Sequence, residues 1–263
     1  MQQTLDQIPL WAFFLITTLI LFTAAEIGFH LGKWWKRRSK DEEKGQVGTL
    51  LGASLGMLAF MLAFTFGMAG SNHNAKKSLV LEEANAIRTA YLRAQMLPEP
   101  SSSKIKGLFQ EYVAIRLKGT RVKSVDQLKP LIARSEEIHN ELWALSVRLA
   151  KENSGSRFVG LFVNSLNKVI ELNSKRLTVG IHNRIPLSIG ITLNFIAILT
   201  MMLMGYQAGV TGIRTLLARF ALILAFASVM LLINELNRPG RTIIKVDQHA
   251  MIDLQVSMEK AKH

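Results

Sequence analysis

The chain contains no cysteine, which excludes disulfides, thiolate metal sites and cysteine nucleophiles. Proline is scarce, six residues in 263, so long stretches are free of the residue that breaks helices. Charged residues make up only 19% of the chain, and they are lopsided, with a net charge of +13. The six histidines are scattered, and no His-x-x-x-His pair offers two metal ligands on one helix face. Neither a phosphate-binding or dinucleotide-binding glycine loop nor a Gly-x-Ser-x-Gly elbow occurs. Nothing in these patterns argues for an enzyme, a cofactor or a metal. The basic residues form no stripe interleaved with aromatics, so no nucleic-acid partner is expected.

What the chain has in quantity is apolar sequence, 49% of it, gathered into four runs near 9–29, 47–70, 185–206 and 211–233. Each is close to the ~20 residues that cross a ~30 Å hydrocarbon core. The second and third contain no charge, whereas a globular surface helix shows a polar face every turn. Four transmembrane helices are predicted. The first is read as a retained anchor, because Met1–Pro9 carries no Lys or Arg and the run is longer than a signal-peptide core. Glu26 and the basic patch Lys33, Lys36, Arg37 and Arg38 follow it.

The expected layout is two spans over 1–70, a helical bundle outside the membrane over 71–184, two spans over 185–235, and a tail over 236–263. The fold class is an all-α membrane protein. The segment 71–97 lacks proline, so the second span is predicted to continue as one helix to Leu97, ahead of Pro98 and Pro100. Ser101–Ser103 are predicted to cap a helix burying Ile105, Leu108, Phe109 and Tyr112. Asp126 is predicted to cap the next, with a heptad-like seam of Leu128, Leu131, Ser135, Ile138, Leu142, Leu145 and Leu149. A further helix should bury Phe158, Phe162, Leu166, Val169 and Leu172 and end near Pro186.

Charge points two ways on orientation. Residues 33–47 carry six Lys and Arg against three acids, which places that loop in the cytoplasm by the positive-inside rule. Residues 71–185 are also basic, with 19 Lys and Arg against 10 Asp and Glu. Such a domain suits lipid headgroups or permeating anions as partners.

Candidate residues follow from position. Gly48, Gly52 and Gly56 share one face of the second span, fitting either close packing of a neighbouring helix or a pore wall. Phe60 and Phe64 lie one turn apart, fitting either a lipid-facing pair or an apolar constriction. Glu26, with His30 one turn on, is an acid inside a membrane run; Arg219 sits where it can snorkel. Asn85, Thr89 and Arg93 form a polar stripe, and Arg93 is expected to tie helices together through Glu82 or Glu83 or to contact a permeating ion. Arg238 can pair with Glu235 three residues earlier.

The segment EANAIRTAYLRAQMLP at 83–98 resembles the signature of a bacterial membrane family known as bestrophin-like domain proteins. RIP at 184–186, GYQAG at 205–209, LNRP at 236–239 and IKVDQ at 244–248 agree with it. Arg88 stands where the family commonly has glycine, Gln95 where it has an acid, and Glu235 and Asn237 where it has aspartates. The resemblance implies two membrane helices, a cytosolic helical domain and two more membrane helices. It also implies a pentameric, mostly anion-conducting channel in a bacterial plasma membrane, with itself, the bilayer and small inorganic anions as partners. A non-conducting scaffold that binds partners through the bundle is the competing expectation.

Overall fold

A computed structural model describes residues 8–36, 44–120, 122, 125–181, 184–213, 216–238 and 246–260. The described residues are mostly helical and contain no strand. In chain order the helices are α1 (Leu10–Lys36), α2 (Lys44–Ala94), α3 (Ser101–Gly119), α4 (Val125–Glu152), α5 (Arg157–Ile181), α6 (Leu187–Thr211), α7 (Leu216–Asn237) and α8 (His249–Lys260). Four of them, α1, α2, α6 and α7, are long and apolar enough to cross a membrane. The chain divides into two compact units, 1–72 with 184–238 and 73–183 with 239–263.

In the first unit, apolar side chains from all four spans share one core, including Leu21, Leu58, Met201 and Ile223. Its closest approach is between α1 and α6. A methyl group added to Gly28 would lie 1.9 Å from the Met202 carbonyl oxygen, and one on Gly205 would lie 1.9 Å from the Ala25 carbonyl oxygen. Gly32 and Gly209 are in equally close contact with the facing backbone. Each helix thus presents a Gly-x-x-x-Gly face to the other, the arrangement that lets membrane helices pack backbone to backbone. Gly212 then ends α6 in the left-handed region, φ 80°, where a side chain would be strained.

The second unit has its own core from the end of α2, from α3, α4 and α5, and from α8. Phe109 and Phe162 meet edge to face at 6.4 Å near its middle. The α4 seam is buried at Ile138, Leu142, Leu145 and Leu149. Ser135 is tolerated there because its hydroxyl donates to the Leu131 carbonyl at 2.8 Å. α8 adds Met251, Leu254 and Met258 to the same core.

Three local expectations are corrected. α2 leaves helical geometry after Ala94, and turn-type bonds carry the chain to Leu97. The start of α3 is held by Glu99, whose carboxylate accepts from Ser103 N (3.2 Å) and Ser103 Oγ (2.9 Å), not by a serine cap. On α5 the buried residue of the first turn is Val159, and Phe158 is 52% exposed, one position off the stripe set by Phe162, Leu166 and Val169. Arg37, Arg38, Pro239, Ile244, Lys245 and the side chain of Asp126 lie outside the described residues.

Candidate functional site

The sequence candidates on the second span lie together on α2 and remain uncovered in the protomer. Phe60 and Phe64 stack at 6.5 Å with their planes 17° apart, and they are 69% and 54% exposed. No atom lies within 4 Å of a methyl group placed on Gly52, Gly56 or Gly67; on Gly48 it would meet only Gln207 Nε2, at 3.0 Å. The residues of this span that α2 does bury, Leu58, Leu62, Thr65 and Ala69, form one narrow stripe at spacings of four, three and four. Only 11% of its most apolar stretch is buried, against 22–28% for the other three spans.

Glu26 is paired inside the membrane unit. Arg219 Nη1 lies 3.1 Å from Glu26 Oε1, and the guanidinium sits over the Phe29 ring at 5.5 Å. Arg219 is 4% exposed, so it does not snorkel out of the span. A buried charge is retained at low cost only when it is paired, and α1 supplies both the carboxylate and the ring. Arg238 donates from Nη1 to the Ile8 carbonyl at 2.6 Å. With the Asn234 amide oriented so that its oxygen faces the guanidinium, that oxygen accepts from Nε (3.3 Å) and Nη2 (3.0 Å). The neighbouring Asn237 Oδ1 accepts from Ile185 N at 2.8 Å, tying the end of α7 to the start of α6.

In the second unit Glu83 is fully buried. Tyr112 Oη donates to Glu83 Oε1 at 2.7 Å, and Arg116 Nη2 donates to Oε2 at 3.1 Å. Arg176 Nη1 is the closest partner of that same oxygen. Arg176 Nη2 then reaches Gln248 Oε1 at 3.2 Å, joining α2, α3 and α5 to the segment that precedes α8. Burial alone would push the Glu83 carboxyl up. The Arg116 and Arg176 charges and the Tyr112 and Arg176 hydrogen bonds outweigh it and hold the group below the usual carboxylate range. Burial also raises the Tyr112 phenol, which keeps its proton and donates. His139 packs on the Tyr112 ring at 4.8 Å. Burial, with the Arg116 charge, lowers it to about 4, so it is neutral near pH 7.

Of the two carboxylates that the sequence offered to Arg93, Glu83 is taken by Arg116 and Arg176, and Glu82 Oε1 accepts from Ser78 Oγ at 2.9 Å. Arg93 instead donates from Nη1 to the Leu161 carbonyl at 2.8 Å. Asn85 and Thr89 lie on the same exposed face of α2, and Thr89 Oγ1 donates to the Asn85 carbonyl at 3.0 Å. Arg116 and Arg176 were not legible as partners of Glu83, since they lie 33 and 93 positions away. Among the described residues no group of three or more His, Asp or Glu is placed to hold a metal.

Four apolar helices with a buried ion pair between two of them, joined in one chain to a unit cored on a carboxylate and two arginines, define a polytopic all-helical membrane protein. The chain belongs to the bestrophin-like family, whose Bestrophin-like domain model matches residues 8–251. Solved structures share the fold. An aspartate-to-alanine variant of a bacterial bestrophin homologue from Klebsiella pneumoniae superposes with a TM-score of 0.68 at 14% identity, over 94% of this chain and 97% of that one. A leucine-to-threonine variant from the same organism gives 0.61 at 14%, over 96% and 98%. A crystal structure described as a membrane protein with a proline-to-alanine change gives 0.67 at 14%, over 95% and 97%. None of the curated proteins matches the chain.

Proposed function

We propose that the protein is a homo-oligomeric ion channel of the bacterial plasma membrane. It conducts small anions through a central pore lined by α2, with five copies around the axis as in the bestrophins it resembles. The observation that carries this reading is the uncovered face of α2. A span that buries one narrow stripe in its own protomer, and leaves Gly52, Gly56, Phe60 and Phe64 open, is free to meet its copies around an axis. Phe60 and Phe64 would then ring the pore as an apolar constriction that gates by shedding water. The bundle over 71–184 lies outside the bilayer on the cytosolic side, and its +9 balance raises the local concentration of anions over cations. The polar stripe Asn85, Thr89 and Arg93 belongs to the extension of the pore helix beyond the membrane. Glu26, Glu83 and Arg238 hold helices together and do not contact the ion.

Flux through liposomes containing the pure protein tests this. Replacing Phe60 and Phe64 together with alanine widens the ring and is expected to raise chloride flux severalfold, with chloride favoured over potassium most at low salt. Unchanged flux would place the pair against lipid. Silence of both wild type and variant, with the oligomer intact, would overturn the channel in favour of the scaffold.

A further inference from the structure

Between α2 and α5, wholly within the second unit, runs an open groove of about 390 Å³. Glu82, Asn85, Thr89 and Arg93 are among the residues that line it from α2, and Asn164 and Lys168 are among those from α5. The charges along it sort into two kinds. Lys168 Nζ is 3.2 Å from Glu171 Oε2, and Glu171 Oε1 is 2.5 Å from Lys175 Nζ; Glu82, which also lines the groove, acts on the Lys175 charge, so these two lysines and two glutamates balance. Half-buried Arg93 is different. Among the described residues it meets no carboxylate, and its hydrogen bond is to the neutral Leu161 carbonyl. That bond occupies Nη1 and fixes the guanidinium. The opposite edge, Nε with Nη2, is left without a protein partner among the described residues. Two parallel N–H groups on a rigid, permanently charged plane match the paired oxygens of a carboxylate or phosphate. The side-chain amides of Asn85 and Asn164 face the same groove and make no hydrogen bond among the described residues, so they offer further donors.

We propose that the α2–α5 groove is a binding site for a small oxyanion, a carboxylate or a phosphate, seated on the Nε–Nη2 edge of Arg93. Arg93 is half-buried beside an open groove, so a paired oxyanion adds two charge-assisted hydrogen bonds on an edge that no described residue occupies. The site is independent of conduction, since a scaffold would carry the same groove.

The test uses the full-length protein in detergent at constant ionic strength, with inorganic phosphate, succinate and chloride as probes. Binding is followed by calorimetry and by the thermal unfolding midpoint. Phosphate, succinate or both are expected to bind and raise the midpoint as concentration rises, and the stronger of the two identifies the source of the oxyanion. Chloride, a single sphere without paired oxygens, binds at least tenfold more weakly. Arg93→Gln lowers oxyanion affinity at least tenfold, whereas Arg134→Gln, in an exposed network on α4, leaves it unchanged. If Arg93→Gln does not fold, Asn164→Ala reads the same site and weakens binding severalfold. The proposal is overturned by no response to either oxyanion, by a chloride response of equal size, or by variants that bind as the wild type does. Silent liposomes combined with intact binding would sink the channel and leave this site standing.

Discussion

The Tyr112 hydroxyl donates a 2.7 Å hydrogen bond to Glu83 Oε1 at a point where both side chains are out of reach of water. Arg116 and Arg176 supply the opposing charge, so the carboxylate links three helices. Loss of one partner from such a group leaves charge uncompensated. Glu83→Gln should destabilise the protein by about 3–5 kcal/mol, the usual consequence of breaking a buried ion pair. Tyr112→Phe removes one hydrogen bond to a charged group and should cost about 1.5–3 kcal/mol. Denaturation of both variants side by side checks the order; a Glu83→Gln protein as stable as the wild type would show that the arginines find another anion.

The same cluster predicts acid sensitivity. The ordinary histidine value is 6.5, and His139 is lowered to about 4. Between those values the unfolded chain binds a proton that the folded chain refuses, so stability falls as pH drops from 6.5 to 4, by on the order of 3 kcal/mol. Glu83, held below its ordinary value, contributes stability that is present above the unfolded carboxylate range and is lost as pH falls through its folded value. The two losses are separable, because histidine begins first. His139→Gln should flatten the decline in unfolding midpoint between pH 6.5 and 5 and leave the steeper fall below pH 4 in place. A slope unchanged by the substitution would assign the sensitivity to other groups.

Glycines with the same spacing should respond in opposite ways. Gly28→Ala and Gly205→Ala place a methyl group on facing backbone, and overpacking costs about 1–3 kcal/mol. Both should lower the unfolding midpoint in detergent. A Cβ at Gly52 has no neighbour within 4 Å in its own protomer, so with Gly52→Leu the protomer should stay folded while the oligomer mass falls. A Gly52→Leu protein that keeps the wild-type mass would place that face against lipid or open water.

The four spans were legible in the sequence because bilayer thickness turns apolar length into a local signal that needs no knowledge of neighbours. The continuation of α2 beyond the span and the α4 seam were legible for the same reason, since proline placement and heptad spacing act within one helix. Partners across helices were not. Gly28 and Gly32 carry the same small-residue signature as Gly52 and Gly56, yet only the first pair is met by another backbone, that of α6. Glu83 was visible as one residue of a motif. That it answers to Arg116 and Arg176, and so releases Arg93 to line a groove, depends on which helix faces come together. Sequence alone determined the four helices long and apolar enough to cross a membrane and the helical character of the stretch between the second and third, because those properties are set by neighbours a few residues away; of α8 it offered only a tail. Tertiary structure decided which charges are spent inside the fold and which stay free to meet a ligand, because a charge is neutralised by whatever lies beside it in space.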